Sequence, residues 1–244
     1  MILKDDCRGQ LEVVLKGINC EAVKEYNMVG VEKCFSYLYA INFLSKKIVL
    51  RSFFSNTAYN VSYACLIESF KLLLENHPRG SALVLRSALE NFLKSIIETA
   101  GQGQYRIHEK SYLANKNTMD EVIGNIFPSK YQEMFKTTNN QMYTAYGKLS
   151  GLSHSLTTES KKNLLLYFSD TSHLNKEIID NVFGNFLAVL EYIFSSCLLI
   201  TWSSLENWER QELKEVLLVV FGGKRTEKML ILFSKTVEAQ APLV

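Results

Sequence analysis

Apolar residues recur along most of the chain at the i, i+3, i+4 and i+7 positions that form one face of an α-helix. No stretch shows a convincing alternation of apolar and polar residues, which a half-buried strand would require. The pattern therefore predicts an all-α fold, a multi-helix bundle of about seven to nine helices. The predicted helices span about 2–16, 20–48, 57–76, 81–100, 118–126, 129–152, 172–206, 209–221 and 224–238.

Prolines and glycines mark several of the predicted helix ends. The run His77-Pro78-Arg79-Gly80 separates the third and fourth helices, because a residue before proline avoids the helical region. So short a turn predicts that these two helices form an antiparallel hairpin. Gly101-Gln102-Gly103 ends the fourth helix, and residues 101–118 are predicted as a polar loop. Residues 155–171 are ambiguous: LLLYF at 164–168 is compatible with a short strand, but an irregular connection is favoured.

The chain is predicted to form one main bundle with a smaller helical pair at its end. A protein of 244 residues can bury roughly 70–75% of its unfolded surface. Residues 1–206 are predicted as the bundle, with its core at about 20–206. Residues 207–244 are predicted as a C-terminal helical pair that packs on this core or on a partner, because LKEVLLVVF is apolar enough to need a covering surface.

Charge and cysteine content narrow the class of protein. With 27 Lys+Arg against 25 Asp+Glu, the chain lacks the strongly basic character of proteins that hold nucleic acid mainly through phosphates, and only a local basic patch is possible. Five cysteines, an odd number without CxxC spacing, indicate reduced thiols in a cytoplasmic protein. Asp5 and Asp6 interrupt the N-terminal region where an export signal would need an apolar run.

One apolar stretch, residues 186–202, approaches the ~20 residues that a bilayer span needs. Glu191 lies in its middle, and acidic residues flank both ends. A buried core helix is therefore favoured over a membrane span. We expect a protein that does not insert into a membrane.

Two pairs of polar residues interrupt predicted apolar helix faces. Arg86 and Glu90 lie one turn apart in SALVLRSALENFLKSII, and Ser150 and His154 lie one turn apart in YTAYGKLSGLSHS. Each pair is either satisfied within a core or forms a functional site. Arg86 and Glu90 could be a structural ion pair that sets helix register, and His154 could be a structural hydrogen-bonding residue.

Two glycines near Ser150 and His154 indicate that another group approaches this helix closely. Gly147 and Gly151 lie inside the predicted helix, where each costs about 1 kcal/mol relative to alanine. A neighbouring backbone or a ligand that needs the absence of a side chain would offset that cost. We therefore expect a close contact at these glycines.

The helix around "RSALE" together with the later "Y-x-x-LS-x-x-SHS" segment resembles the HEPN-like proteins, especially small bacterial ones found beside mobile elements and phage-defence genes. The resemblance covers about residues 57–206. It implies a helical bundle, often dimeric, and in many members a metal-independent ribonuclease. The family's usual signature is an arginine followed after four to six residues by a histidine, with a polar residue from an earlier helix.

The chain departs from this signature because no arginine lies between 107 and 209. In the family the histidine acts as general acid/base on a ribose 2′-hydroxyl and the arginine stabilises the phosphate. The resemblance implies His154 for the first role. Lys148, with five residues between, or Arg86 from the earlier helix would supply the charge, and Glu90 would orient Arg86. Tyr146, Ser150 and Ser153 are the candidate binding residues.

Two functions stay open at this point. The first is a HEPN-like accessory or interaction subunit of a bacterial defence or mobile-element system, which binds a second copy of the chain, a partner protein or RNA. The second is a metal-independent endoribonuclease that uses His154. His77, His108 and His173 lack metal-ligand spacing, so no metal site is predicted. No phosphate-binding glycine motif occurs, so no cofactor is predicted.

Overall fold

The structure, a computed structural model, describes residues 2–153 and 174–234. Helices dominate this part of the chain, which contains no strand, and the prediction of an all-α fold is confirmed. The described residues form eleven α-helices, more than predicted, because two single-turn helices (α3 and α9) were not expected. The helices are α1 (Ile2–Lys16), α2 (Ala22–Lys46), α3 (Arg51–Phe54), α4 (Thr57–Leu74), α5 (Pro78–Gly101), α6 (Tyr112–Ile126), α7 (Ser129–Ser153), α8 (Lys176–Ile200), α9 (Trp202–Leu205), α10 (Arg210–Val220) and α11 (Gly223–Leu232). The ambiguous residues 155–171 lie outside the described residues.

The predicted hairpin forms from α4 and α5, which pack side by side. Side-chain hydroxyls on α4 bond to backbone carbonyls on α5: Ser62 Oγ donates to Ala88 O at 2.8 Å, and Ser69 Oγ donates to Ser81 O at 2.8 Å. Asn56 caps α4, because its Oδ1 accepts from the backbone N–H of Tyr59 at 2.7 Å. These bonds give α5 a fixed position relative to α4.

The predicted loop is shorter than expected, because α6 begins at Tyr112 rather than at 118. Ser111 caps the helix by accepting from the backbone N–H of Ala114 at 3.2 Å. The Asn115 side chain also accepts from the His108 N–H at 2.7 Å and donates to the His108 carbonyl at 2.8 Å. These contacts order the end of the loop and extend α6 by about one and a half turns.

The core lies between α2, α5, α7 and α8, and α5 also contacts α4 and α6. Leu89, Leu93, Phe186 and Phe194 are all fully buried there. Burial of each such side chain contributes about 1.5–3 kcal/mol. The buried apolar residues form a single contiguous cluster, so the helices share one core.

The apolar stretch that was predicted as a core helix forms the second half of α8 and continues into α9. By length and composition, α8 is the one helix among the described residues that could span a membrane. However, 67% of its apolar window is buried inside the protein. Glu191 at its middle forms an ion pair with Arg225 of α11.

The C-terminal helical pair, α10 and α11, lies against the bundle. Leu213, Val216 and Leu217 of α10 are buried, and α10 contacts α1 and α2. Phe221 packs its ring against Tyr37 at 6.3 Å and Phe194 at 5.6 Å between ring centroids. Residues 210–233 therefore complete the same core, whereas residues 235–244 lie outside the described residues.

Candidate functional site

The two helices that carry the predicted polar pairs, α5 and α7, pack directly against each other. Arg86 of α5 donates from Nε to Glu90 Oε1 at 3.2 Å and from Nη1 to Ser150 Oγ of α7 at 3.4 Å. Three of the four polar residues are thus brought into contact, although Glu90 and Ser150 lie 60 positions apart in the chain. We call the group Arg86, Glu90, Tyr146 and Ser150 the arginine cluster.

Tyr146 lies at the centre of the arginine cluster. Its hydroxyl accepts from Arg86 Nη2 at 2.7 Å and donates to Glu90 Oε1 at 2.8 Å. The guanidinium carbon of Arg86 also lies 4.8 Å from the centroid of the Tyr146 ring, within the range of a cation–π interaction. One tyrosine therefore connects both charged residues through its ring and its hydroxyl.

Tyr112, the first residue of α6, supports Tyr146 from the other side. The two rings are nearly parallel, with centroids 4.1 Å apart and an interplanar angle of 6°. Tyr112 is buried, and its hydroxyl has no hydrogen-bond partner among the described residues. The sequence pattern predicts Tyr112 in the loop at 101–118, and the structure corrects this. An N-cap at Ser111 followed by apolar residues at 112, 119, 122 and 123 is the signal that would have placed it on a helix.

The arginine cluster is partly buried and nearly neutral. The side chains of Arg86 and Glu90 keep 22% and 36% of their surface exposed. Burial, followed by the hydrogen bond to Glu90 and its negative charge, raises the pKa of Tyr146 above its ordinary value. The tyrosine therefore stays protonated at neutral pH and remains a hydrogen-bond donor to Glu90.

The structure places Lys148 away from the arginine cluster. Lys148 is two positions from both Tyr146 and Ser150 in the sequence. Its side chain therefore points about 160° away from each of them around the axis of α7. Lys148 instead lines a cleft of about 130 Å³ between α7 and α8, together with Gln141, Asn185 and Tyr192. Among the described residues, Arg86 is therefore the cation that lies beside Ser150.

Two predicted site residues fall at the end of the described segment. Ser153 is the last residue of α7, and His154 lies outside the described residues. Ser150, four positions before His154 in the sequence, contacts Arg86. The described chain thus brings the arginine cluster to the end of α7 that leads to His154.

The expected close contact at the α7 glycines is not found among the described residues. A methyl group built at Gly147 or Gly151 would have no described atom within 4 Å. No described neighbour therefore lies against either glycine or offsets its conformational cost.

Replacing Gly147 or Gly151 with alanine should raise the free energy of unfolding by about 0.5–1 kcal/mol each, because alanine is the better helix former. Thermal unfolding followed by circular dichroism measures the change. Gly101→Ala is the matched opposite, because its new methyl group would lie 2.8 Å from Tyr105 and should destabilise the protein. A loss of stability in both α7 variants would contradict the open environment of these glycines.

Neither a metal site nor a known relative identifies the function of this site. No group of three or more His, Cys, Asp or Glu that could hold a metal ion occurs among residues 2–153 and 174–234. No family model, curated protein or solved structure matches this chain. The geometry of the arginine cluster is thus the main guide to function.

The cluster can do one of two things chemically. It can join α5 to α7 through charge-assisted hydrogen bonds, which are stronger than neutral ones. Alternatively, the exposed edge of the Arg86 guanidinium can contact a phosphate, while Glu90 and Tyr146 hold the guanidinium in its orientation. In both cases Tyr146 sets the position of Arg86.

Proposed function

We propose that this chain is a HEPN-like helical interaction subunit of a bacterial defence or mobile-element system. It binds a partner protein or RNA and works with a second copy of the chain or with that partner. The residues around Arg86 and His154 that resemble the family support the proposal, as does the contact between the helices that carry Arg86 and Ser150. In this view the arginine cluster is structural, and binding occurs elsewhere on the bundle.

One observation carries the structural role of the cluster. All three nitrogens of the Arg86 guanidinium donate to groups of the protein: Nε to Glu90, Nη1 to Ser150 and Nη2 to Tyr146. The negative charge of Glu90 also offsets the positive charge that a phosphate would need. A guanidinium bound in this way holds two helices together more readily than it holds a substrate.

Replacing Arg86 with alanine should lower the free energy of unfolding by about 2 kcal/mol, or the melting temperature by about 4–8 °C. The change leaves Glu90 without its cation, and partial exposure of the pair keeps the loss below that of a fully buried one. Calorimetry or circular dichroism measures the shift, and light scattering on the folded protein measures its oligomeric state.

Arg51→Ala is the matched control, because Arg51 is exposed on α3 and should leave the melting temperature unchanged. Association with a second copy, partner or RNA should survive in folded Arg86→Ala protein. An unchanged melting temperature together with lost association would contradict the structural role of the cluster.

The second candidate function is a metal-independent endoribonuclease. The observation in its favour is that Arg86 contacts Ser150, which lies four positions before His154 in the sequence, while the Arg86 side chain is still 22% exposed. His154 would act as general acid/base, Arg86 would contact the phosphate and Glu90 would orient Arg86. Lys148 has no part in this version, because it faces the cleft beside α8.

RNA cleavage in the presence of a chelator separates the two functions. The nuclease version expects wild-type protein to cut RNA and both His154→Ala and Arg86→Gln to lose that activity while remaining folded. RNA left intact by wild type and by His154→Ala alike would remove the nuclease version and leave the interaction subunit.

A further inference from the structure

The cleft between α7 and α8 is a concave site that neither proposed role of the arginine cluster uses. Gln141 and Lys148 line it from α7, and Asn185 and Tyr192 line it from α8. The two residues on each helix are seven positions apart, a distance of about 10 Å along the helix axis. The cleft therefore runs along two turns of both helices, and we call it the α7–α8 cleft.

Asn185 is the buried polar residue of this cleft. It is only 8% exposed, and its Nδ2 donates to the Asn181 carbonyl at 2.8 Å and to Asn181 Oδ1 at 2.7 Å. Both amide hydrogens are thereby used, and a flipped amide would place its oxygen against two other oxygens. The orientation of the amide is therefore fixed, and Oδ1 is the atom that is left for a ligand.

Oδ1 of Asn185 is an acceptor without a partner in the described part of the chain. It accepts no hydrogen bond from a described residue, and it is not sealed from solvent. The polar atoms of a side chain that is more than nine-tenths buried normally have hydrogen-bond partners. Because Asn185 lines the cleft, the donor that meets its Oδ1 is either water or a group of a bound molecule.

Three other polar side chains of the cleft can donate hydrogen bonds. Lys148, Gln141 and Tyr192 have no hydrogen bond or ion pair with any described residue. Burial, with a further contribution from the charge of Glu191, raises the pKa of Tyr192, so its hydroxyl stays protonated at neutral pH. Among the described residues that line the cleft, Lys148 is the one that carries a charge. These donors and this single positive charge suit an anionic oxygen group.

Small side chains set the size of the cleft. Ala145 of α7 and Ala188 of α8 line it, and its volume is about 130 Å³. A cavity of about 150 Å³ holds benzene, a molecule of six non-hydrogen atoms. By that comparison the α7–α8 cleft takes a molecule of about five or six non-hydrogen atoms and is too small for a nucleotide.

We propose that the α7–α8 cleft binds a small α-hydroxy carboxylate, with the ligand hydroxyl donating to Asn185 Oδ1 and the carboxylate accepting from Lys148. A hydroxyl suits this cleft better than an ammonium group, because Lys148 would repel a second positive charge. The inference goes beyond the proposed function, since neither association with a partner nor RNA cleavage uses this cleft.

Saturation-transfer NMR titrations of the full chain with L-lactate and D-lactate test the inference. Wild type should bind at least one enantiomer with a Kd of about 0.1–10 mM. Propionate has the same carbon skeleton without the hydroxyl, and it should bind at least about 10-fold more weakly, because Asn185 Oδ1 then stays unpaired. L-Alanine, which carries an ammonium group in place of the hydroxyl, should also bind more weakly than lactate.

Variants connect the binding to the cleft. Lys148→Gln should weaken lactate binding about 10-fold by removing the positive charge, and Ala188→Leu should abolish it by filling the cleft. Lys136→Ala is the matched control, because Lys136 is exposed on the same helix but does not line the cleft, and it should leave the Kd unchanged. Circular dichroism verifies that every variant is folded.

Three results would overturn the inference: no binding of either lactate enantiomer to wild type, propionate binding as tight as that of lactate, or an unchanged Kd for Lys148→Gln. Tighter binding of L-alanine or of inorganic phosphate than of lactate would likewise overturn it, because the cleft would then select a different ligand chemistry. The proposed function is judged by association and RNA cleavage, so its failure is distinguishable from the failure of lactate to bind.

Discussion

Replacing Tyr146 with alanine is expected to lower the free energy of unfolding by about 3–4 kcal/mol, with a fall of about 6–16 °C in melting temperature. The change removes the ring that stacks on Tyr112 at 4.1 Å and faces the Arg86 guanidinium. It also removes the hydroxyl that bonds to both Arg86 and Glu90. Denaturant unfolding measures the loss.

Tyr146→Phe separates the two contributions, because it keeps the ring and removes the hydroxyl. It should lower the free energy of unfolding by about 1–2 kcal/mol, since Glu90 and Arg86 each lose one hydrogen bond. Tyr143→Ala on the same helix is the control and should cost less than about 1 kcal/mol, because that ring is 40% exposed. Equal losses from Tyr143→Ala and Tyr146→Ala would show that Tyr146 does not connect α5, α6 and α7.

Replacing Phe221 with alanine is expected to lower the free energy of unfolding by about 3–4 kcal/mol. Its ring packs on Tyr37 of α2 and Phe194 of α8, and the Arg225 guanidinium lies 4.1 Å from its centroid. The large loss follows because Phe221 attaches α10 and α11 to the bundle. Thermal and denaturant unfolding measure it.

Ile231→Ala is the matched control in the same helical pair, because Ile231 is 67% exposed and should change stability by less than about 0.5 kcal/mol. Unfolding should remain a single transition in wild type, since α10 and α11 share the core of the bundle. Two separate transitions, with only the smaller one affected by Phe221→Ala, would show that the C-terminal pair folds as its own unit.

Much of the helical pattern could be predicted from the chain. Period and breaking residues are local properties, so the ends of α1, α4, α7 and α10 were predicted within about two residues. The start of α6 was predicted at 118 rather than at Tyr112. Ser111 and Asn115 bond to backbone groups in a segment whose polar sequence indicated a loop. The break in the helix at Thr201, which separates α8 from α9, carried no glycine or proline signal.

The candidate site was predictable only in part. Arg86, Glu90 and Ser150 stood out because charged and hydroxyl groups are rare on apolar helix faces. Tyr112 did not stand out, because nothing local relates it to Tyr146, 34 positions later. Lys148 was a candidate because five residues separate it from His154 in the sequence. Its position around the axis of α7, however, directs its side chain toward α8.

Apolar spacing along the chain is sufficient to specify an all-α protein, most helix limits and the polar residues that interrupt apolar faces, because each depends on neighbours within a few turns. Which helices meet depends on how whole faces pack together, and that is a property of the complete core. Packing of α6 and α7 against α5 makes Tyr146 the centre of the arginine cluster, leaves Lys148 at a separate cleft and keeps Tyr143 partly exposed.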